Sequence, residues 1–321
     1  MSSSMPESKT SASNIEVRPL SVHTGAEIHG VDLTAPLPTA QVAAIRAALL
    51  KWKVVFFRDQ HIDHAQHSRF ASYFGELTPA HVVFGGHDQQ FPEIYSVAKF
   101  RTANVHEGRA LQRPWSEWHT DLTAAVNPPF ASILRGVVVP PYGGDTQFVN
   151  MAQVCRSFSA TLRDMLRGVR CVHHFVPPEG AQMTSAYKEK LNSNELIAEH
   201  PAITVHPETG EEVLYVNPGF VQSISGLNPN ESRALLELLY EQSIRPEYMV
   251  RFKWEPGSIA FWDNRSTMHL APADIFDTDF ERQFYRVTLM GDRPTGNDGS
   301  RSELLSGREI EALAARSARA H

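Results

Sequence analysis

The 321 residues allow two domains or one large one, and 42% hydrophobic and 21% charged residues with 19 Gly and 21 Pro match a soluble globular protein that buries a sizeable core. Lys plus Arg total 30 against 36 Asp plus Glu, a formal charge of −6 with no basic stretch, which argues against a nucleic-acid partner. No apolar run approaches the ~20 residues that span a bilayer, so no membrane segment is expected, and only two cysteines, Cys155 and Cys171, occur, at neither zinc-ribbon nor CxxC spacing.

A metal, if bound, would therefore take nitrogen and oxygen ligands, and the 15 histidines justify looking for one. Residues 1–14 are Ser-rich without the apolar stretch of a signal peptide; they are expected to form a flexible leader, and the chain to be cytoplasmic. From Ile15 to Asp32, short β-like segments are broken by Pro19, Gly25 and Gly30. Thr39 then opens a helix to Trp52 with Val42, Ile45, Leu49 and Leu50 on one stripe, and residues 53–57 read as a short buried strand. A second helix is expected over residues 61–74, with Asp63 as its N-cap and Gly75 just past its end. Residues 76–116 are rich in Pro, Gly and His and show one clear strand, 93–97; so long a weakly periodic stretch is usually mobile or functional.

The most continuous β signal runs from Trp118 through Phe130 to Val139, and Pro140, Pro141, Gly143 and Gly144 turn it into a strand at 146–149. Helices over 152–167 and 230–242 bracket a hairpin with arms 202–206 and 212–217 and a turn at 207–210. Short strands return at 249–254, 258–262, 267–271 and 282–289, and beyond Pro294 the chain is polar, with a short helix at 308–319. Many short strands with a few helices imply a mainly β, α+β fold: a jelly-roll barrel decorated by helices over residues 15–294, followed by a polar tail, 295–321.

His119-Thr120-Asp121 lies within a β-like segment, where residues i and i+2 share a face, so an imidazole and a carboxylate are expected to project together into the barrel. A third donor from elsewhere would complete the facial triad of two histidines and a carboxylate that holds non-haem Fe(II) and leaves octahedral positions open. Taken alone, the pair reads equally well as a buried ion pair or strand hydrogen bond. The same spacing recurs at His61-Ile62-Asp63, where the following helix makes Asp63 an N-cap acceptor. Among the other histidines, His173 and His174 should point to opposite faces of a strand and have structural roles, while His64 and His67 fall on a helix face expected in solvent. Trp254 and Trp262 are expected in the core.

The context of His119 and Asp121 is an ordered series. It comprises Trp118-His119-Thr120-Asp121, Pro129, Ser132-Ile133-Leu134, Gly143-Gly144-Asp145-Thr146, Val205-His206-Pro207, the segment from Val216-Asn217 to Gly219-Phe220, Trp262-Asp263-Asn264-Arg265, His269, Arg282 and Arg286. In this order the chain resembles the TauD/TfdA family of Fe(II)- and 2-oxoglutarate-dependent dioxygenases, from about Val17 to Pro294. The resemblance implies iron ligands at His119, Asp121 and His269, with Thr146 and Arg282 binding the distal carboxylate of 2-oxoglutarate. In the sulfonate-oxidising members the position of Arg286 grips the anionic group of the substrate, and those of His81, Phe84, Trp115 and Phe220 line its pocket. The cofactors implied are Fe(II), 2-oxoglutarate as co-substrate, and O2.

Arg282 and Arg286 lie four apart in an expected strand, so both should face the interior, where two guanidiniums require two anions. With the histidines neutral, Fe(II), Asp121, 2-oxoglutarate and Arg282 cancel in charge, which leaves Arg286 for a small mono-anionic organic substrate. Trp115 stands where the taurine-oxidising members carry asparagine, and Phe84 where they carry a tyrosine. Both changes trade a polar handle for apolar surface, so alkyl sulfates, longer alkanesulfonates and aryloxy acids fit better than taurine. Retention of Asp121 argues against halogenation. Two further classes use the same residues: a Zn(II) hydrolase, and a barrel that binds small acids without turnover. Leu235, Leu236, Leu238 and Leu239 form an apolar helix face that suits a subunit interface in a homo-oligomer, dimer or tetramer, or a buried core helix.

Overall fold

The computed structural model describes residues 15–81, 89–99, 105–106, 109–110, 116–177 and 185–315; the 1–14 leader lies outside them. Among the described residues, seven strands form one sheet in the spatial order Glu16–Pro19, Ala26–His29, Val54–Phe57, Ile259–Asp263, Ala131–Val138, Gln283–Leu289 and Tyr95–Ala98. Its neighbours are antiparallel except for the parallel pairing of Ala26–His29 with Val54–Phe57. A second sheet orders Met249–Phe252, Thr146–Asn150 and Thr267–Leu270.

Strand alternation divides the apolar residues between two layers. Val54, Phe56, Leu134, Ala260, Trp262 and Phe284 face inward and pack on Phe148, Val250 and Phe252 of the smaller sheet. Their neighbours Val55, Phe57, Ile133, Phe261 and Val287 face outward, under Ile45 and Leu49 of helix Thr39–Trp52 and Phe70 of helix His64–Ser72. The central strands are thus covered on both faces, which is why they read as continuous apolar runs. The result is the jelly-roll architecture with helical decoration that the strand pattern predicts. A third apolar cluster joins helices Met151–Ser157, Ala160–Arg167 and Pro229–Ser243 to the strands around Leu166, Val213 and Leu239.

Local chemistry sets the helix starts. The Asp63 side chain accepts the Gln66 N–H at 2.8 Å while the Gln66 side chain accepts the Asp63 N–H at 2.8 Å, a capping box that accounts for the His61-Ile62-Asp63 spacing. Asn228 and Glu231 repeat the device ahead of Pro229. On Pro229–Ser243, Leu236 and Leu239 are buried, Leu235 is half-buried and Leu238 is exposed, so the helix spends most of its apolar face on the core. No helix of the described residues is long and apolar enough to cross a membrane.

Several expectations are corrected. The helix expected over 152–167 is two, because Ser159 leaves the helical path and its hydroxyl caps the second by accepting the Leu162 N–H. The strand expected from Trp118 begins only at Ala131: Pro128 and Pro129 have no N–H to give a ladder, and residues 121–127 form turns. The polar tail does not stand apart, since Glu303–Ser306 pairs with Ile197–Pro201, and Ile310 is buried with its N–H and carbonyl both bonded to the Asn127 side chain. Of the helix expected at 308–319, only a turn at 313–315 falls within the described residues. His67 is not solvated; it is fully buried, and its Nε2 donates to the Ile133 carbonyl. His64 is half-buried, packed on Phe91 and Tyr285 and bonded to Arg135.

Candidate metal centre

His119 is joined to His269, on strand Thr267–Leu270, by an isolated antiparallel bridge. The Thr120 hydroxyl adds a bond to the Thr267 carbonyl at 2.8 Å. His269 is held on its other side by register pairing with Phe148. The two imidazole rings lie 4.2 Å apart between centroids. Asp121 follows at the head of a turn in which Leu122 takes φ +55°, so its approach to His119 comes from a single bridge and a turn, not from strand alternation as expected. Ligand atoms of His119, Asp121 and His269 all lie within 4.8 Å of one another.

The protonation state of each group suits a cation. His119 Nδ1 sits 2.8 Å from the Glu117 carbonyl, which only accepts, so Nδ1 carries the hydrogen and Nε2 keeps its lone pair. Burial lowers the pKa of His119 and pushes that of His269 down to about 3, so both rings are neutral at pH 7. Burial alone would raise Asp121, but the Arg286 guanidinium, the two histidines and the Ser132 hydroxyl hold its carboxyl well below the usual range. His269 Nδ1 is buried with no hydrogen-bond partner among the described residues. Two neutral imidazoles and one carboxylate converging on one point are the donor set that fits Fe(II).

Space around the site is tight on one side. Gly219 donates its N–H to the Trp118 carbonyl at 3.0 Å, and a Cβ there would lie 2.8 Å from the Cβ of His119. Asp121 is gripped at both oxygens, Oδ2 by Ser132 at 2.6 Å and Oδ1 by Arg286.

That last contact was not expected from the sequence, which gives Asp121 to the metal and Arg286 to a substrate anion. The structure pairs the two side chains, because Arg286 shares the inward face of its strand with Phe284. Arg286 also lies over Tyr95, its register partner in the next strand, at 5.5 Å, and Tyr95 in turn is 4.9 Å from His81 between ring centroids. Phe220 is buried with its ring 6.4 Å from that of His119. Phe84 and Trp115 lie outside the described residues.

Thr146 and Arg282 lie beside Trp254 and Phe284. The Trp254 indole donates to Thr146 Oγ1 at 2.9 Å. Arg282 stacks on Phe284 at 3.8 Å beside Gly144, whose φ of +66° favours glycine and where a Cβ would lie 3.2 Å from Arg282 Nε. Trp254 also packs 4.8 Å from Phe284, which links the two side chains through one aromatic wall. Ser132 as a partner of Asp121, Tyr95 beneath Arg286, and Trp254 on Thr146 escaped sequence reading. Trp254 was placed in the core, where it is, but its N–H was the available signal: a buried indole needs an acceptor.

The family model described as "Taurine catabolism dioxygenase TauD, TfdA family" matches residues 16–288. An alpha-ketoglutarate-dependent sulfate ester dioxygenase of Pseudomonas putida is 36% identical over 299 residues, covering 91% of this chain and 94% of its own. An alkylsulfatase of Acinetobacter baylyi is 31% identical over 315 residues, covering 96% and 95%. The crystal structure of a taurine dioxygenase from Burkholderia xenovorans superposes with a TM-score of 0.78 at 54% identity, covering 91% of this chain and 97% of that one.

Proposed function

The chain belongs to the taurine catabolism dioxygenase TauD, TfdA family, and from that premise we propose that it is an Fe(II)- and 2-oxoglutarate-dependent oxidoreductase acting on a small organic sulfate ester or sulfonate. The observation that carries this reading is the convergence of His119, Asp121 and His269, ligand atoms within 4.8 Å, on a site with a guanidinium at its edge. His119 Nε2, Asp121 Oδ1 and the His269 imidazole would hold the metal. Bound Fe(II), with 2-oxoglutarate and O2, supplies the oxidising power, converting the co-substrate to succinate and CO2 while one oxygen atom is inserted into a substrate C–H bond.

The protein's own part is positioning. Thr146 Oγ1 accepts from Trp254 and therefore turns its single hydrogen toward the distal carboxylate, which Arg282 neutralises. Arg286 Nη1 is spent on Asp121, but its Nε is buried with no hydrogen-bond partner among the described residues, so a donor remains for the substrate's anionic head. Apolar walls, Phe220 among them, exclude water and accept the organic group. Hydroxylation of the carbon next to the ester oxygen or sulfur gives an adduct that collapses to an aldehyde or ketone with release of sulfate or sulfite. The names of the sulfate ester dioxygenase and the alkylsulfatase support the sulfate-ester choice.

Succinate release from 2-oxoglutarate in air, measured against a panel of alkyl sulfates, alkanesulfonates and aryloxyacetates, tests the proposal. Substrate-dependent succinate with an alkyl sulfate is expected, together with a weak visible band when Fe(II) and 2-oxoglutarate are mixed anaerobically. Hydrolysis of the panel with Zn(II), and no succinate, would move the chain to a metallohydrolase. Binding of 2-oxoglutarate without turnover of any member would make it a small-acid binder.

A further inference from the structure

Asp121 is approached from behind by a hydrogen-bonded series whose direction is decided at its far end. The Trp262 indole N–H only donates, and its acceptor is Asn264 Oδ1 at 2.9 Å. That fixes the Asn264 amide, whose Nδ2 donates to Ser132 Oγ at 2.9 Å. Having accepted there, Ser132 directs its single hydrogen to Asp121 Oδ2 at 2.6 Å. Trp262 is 1% exposed, Asn264 1%, Ser132 0% and Asp121 3%, so water does not compete with any of these bonds. The parts are rigid: Ser132 and Trp262 are register partners on adjacent strands, and the Asn264 N–H is tied to the Phe130 carbonyl at 2.8 Å.

The two carboxylate oxygens are thereby made unequal. Oδ2 is occupied by a short hydrogen bond to an ionised acceptor, among the stronger kinds. Oδ1 faces His119, with Nε2 at 4.0 Å, and is paired with the Arg286 guanidinium, which a metal bound there would share; Oδ2 is turned away from the histidines. A carboxylate free to turn could give a metal both oxygens and fill one of the three positions that the two histidines and a single oxygen leave open in an octahedron. Two of those three are needed by a chelating keto acid, and one by O2.

We propose that Ser132, oriented by Asn264 and Trp262, is a positioning residue that restricts Asp121 to one-oxygen ligation and so keeps three coordination positions open. This rests on the metal-site reading given above. In Ser132→Ala, Oδ2 becomes a buried acceptor without its donor and turns toward the metal as a second ligand oxygen. In Asn264→Ala the Ser132 hydroxyl stays but loses its orientation.

The test uses Co(II) as an anaerobic probe of the full chain. Wild type is expected to bind one Co(II), to lose it in His269→Ala, and to change its visible absorption on addition of 2-oxoglutarate. Ser132→Ala is expected to bind Co(II) with an altered absorption spectrum before any 2-oxoglutarate is added, and then to bind 2-oxoglutarate about tenfold or more weakly. Asn264→Ala should shift both readouts in the same direction by less, and it carries the test if Ser132→Ala does not fold by thermal melting. A purely structural role would lower the melting temperature and leave the Co(II) spectrum alone. Wild-type spectra and 2-oxoglutarate affinity within about twofold in the folded variants overturn the inference. Failure of the wild type itself to bind Co(II) through His269 overturns the metal-site reading and this inference with it, and is recognised before any variant is compared.

Discussion

His119 and His269 exchange both of their backbone hydrogen bonds, N–H to carbonyl at 2.9 Å in one direction and 2.7 Å in the other, although about 150 positions separate them in the chain. A pair so bridged sets its side chains on the same side of the ribbon at short range, and here that places two imidazoles with centroids 4.2 Å apart and planes tilted by 50°. The bridge does for these residues what regular strand pairing does elsewhere, reinforced by the hydroxyl bonds Thr120–Thr267 and Ser116–Ala271.

Gly219 guards that bridge. In Gly219→Ala the new methyl meets His119 Cβ at 2.8 Å and the Trp118 carbonyl at 3.1 Å, so either the His119 segment or the 217–220 turn must shift. A destabilisation of about 1–3 kcal/mol is expected in chemical denaturation, accompanied by weaker binding of Mn(II) in calorimetry. A stable variant with wild-type metal affinity would show that the close approach has no bearing on the site.

Arg286→Leu should move two ligands in opposite directions. The guanidinium shares Asp121 Oδ1 with any metal, and its removal takes a positive charge from beside the site. KM for an anionic substrate is expected to rise about tenfold or more as a charge-assisted contact is lost, while Mn(II) binds more tightly and 2-oxoglutarate affinity stays near wild type. If the substrate and the co-substrate weaken together, the two arginines do not divide the anions between them.

Thr146→Val removes the hydroxyl proposed to meet the distal carboxylate, and Trp254→Phe removes only the group that aims it. The ring packing of Trp254 on Phe252 and Phe284, at 5.0 and 4.8 Å, should survive the second change. Binding of 2-oxoglutarate, followed by titration of the anaerobic visible band, is expected to weaken by about 1.5–3 kcal/mol in Thr146→Val and about 0.5–1.5 kcal/mol in Trp254→Phe. Equal affinities in wild type and both variants would remove Thr146 from the co-substrate site.

Acid should unfold the protein through buried histidines that are not among the candidate metal ligands. Burial holds His67 at about 3 and His200 at about 4, against an ordinary 6.5. His200 is buried between the Ser302 hydroxyl and the Thr123 carbonyl, to which its Nε2 donates. Since the unfolded chain takes up these protons first as pH falls, the stability they contribute is complete above pH 6.5 and is lost between there and the folded values. Each is expected to cost about 2 kcal/mol on moving from pH 7 to pH 5. Urea denaturation at the two pH values checks this, and His200→Gln should reduce the difference by roughly one histidine's share.

Much of the chain was legible as sequence because the signals are local. Helix Thr39–Trp52 has the bounds expected from its apolar stripe, and Asp63 marks a helix start because a capping box needs only residues three apart. Where local signals compete, reading failed: residues 118–130 have β composition, but two prolines and the Leu122 turn prevent a ladder. The tail reads as polar, yet Glu303–Ser306 joins a sheet edge through backbone bonds that side-chain hydropathy does not report.

The candidate site divides along the same line. Chain order alone supplies the residue types, His119 and Asp121 two apart and the later His269, Arg282 and Arg286, since spacing and order are properties of the chain. That Arg286 pairs with Asp121, that Ser132 takes the other oxygen of that carboxylate, and that Tyr95 lies beneath the guanidinium follow from the folded arrangement. Each of those contacts depends on which strands are neighbours and in what register, and strand pairing is a long-range choice made by burial of the whole core.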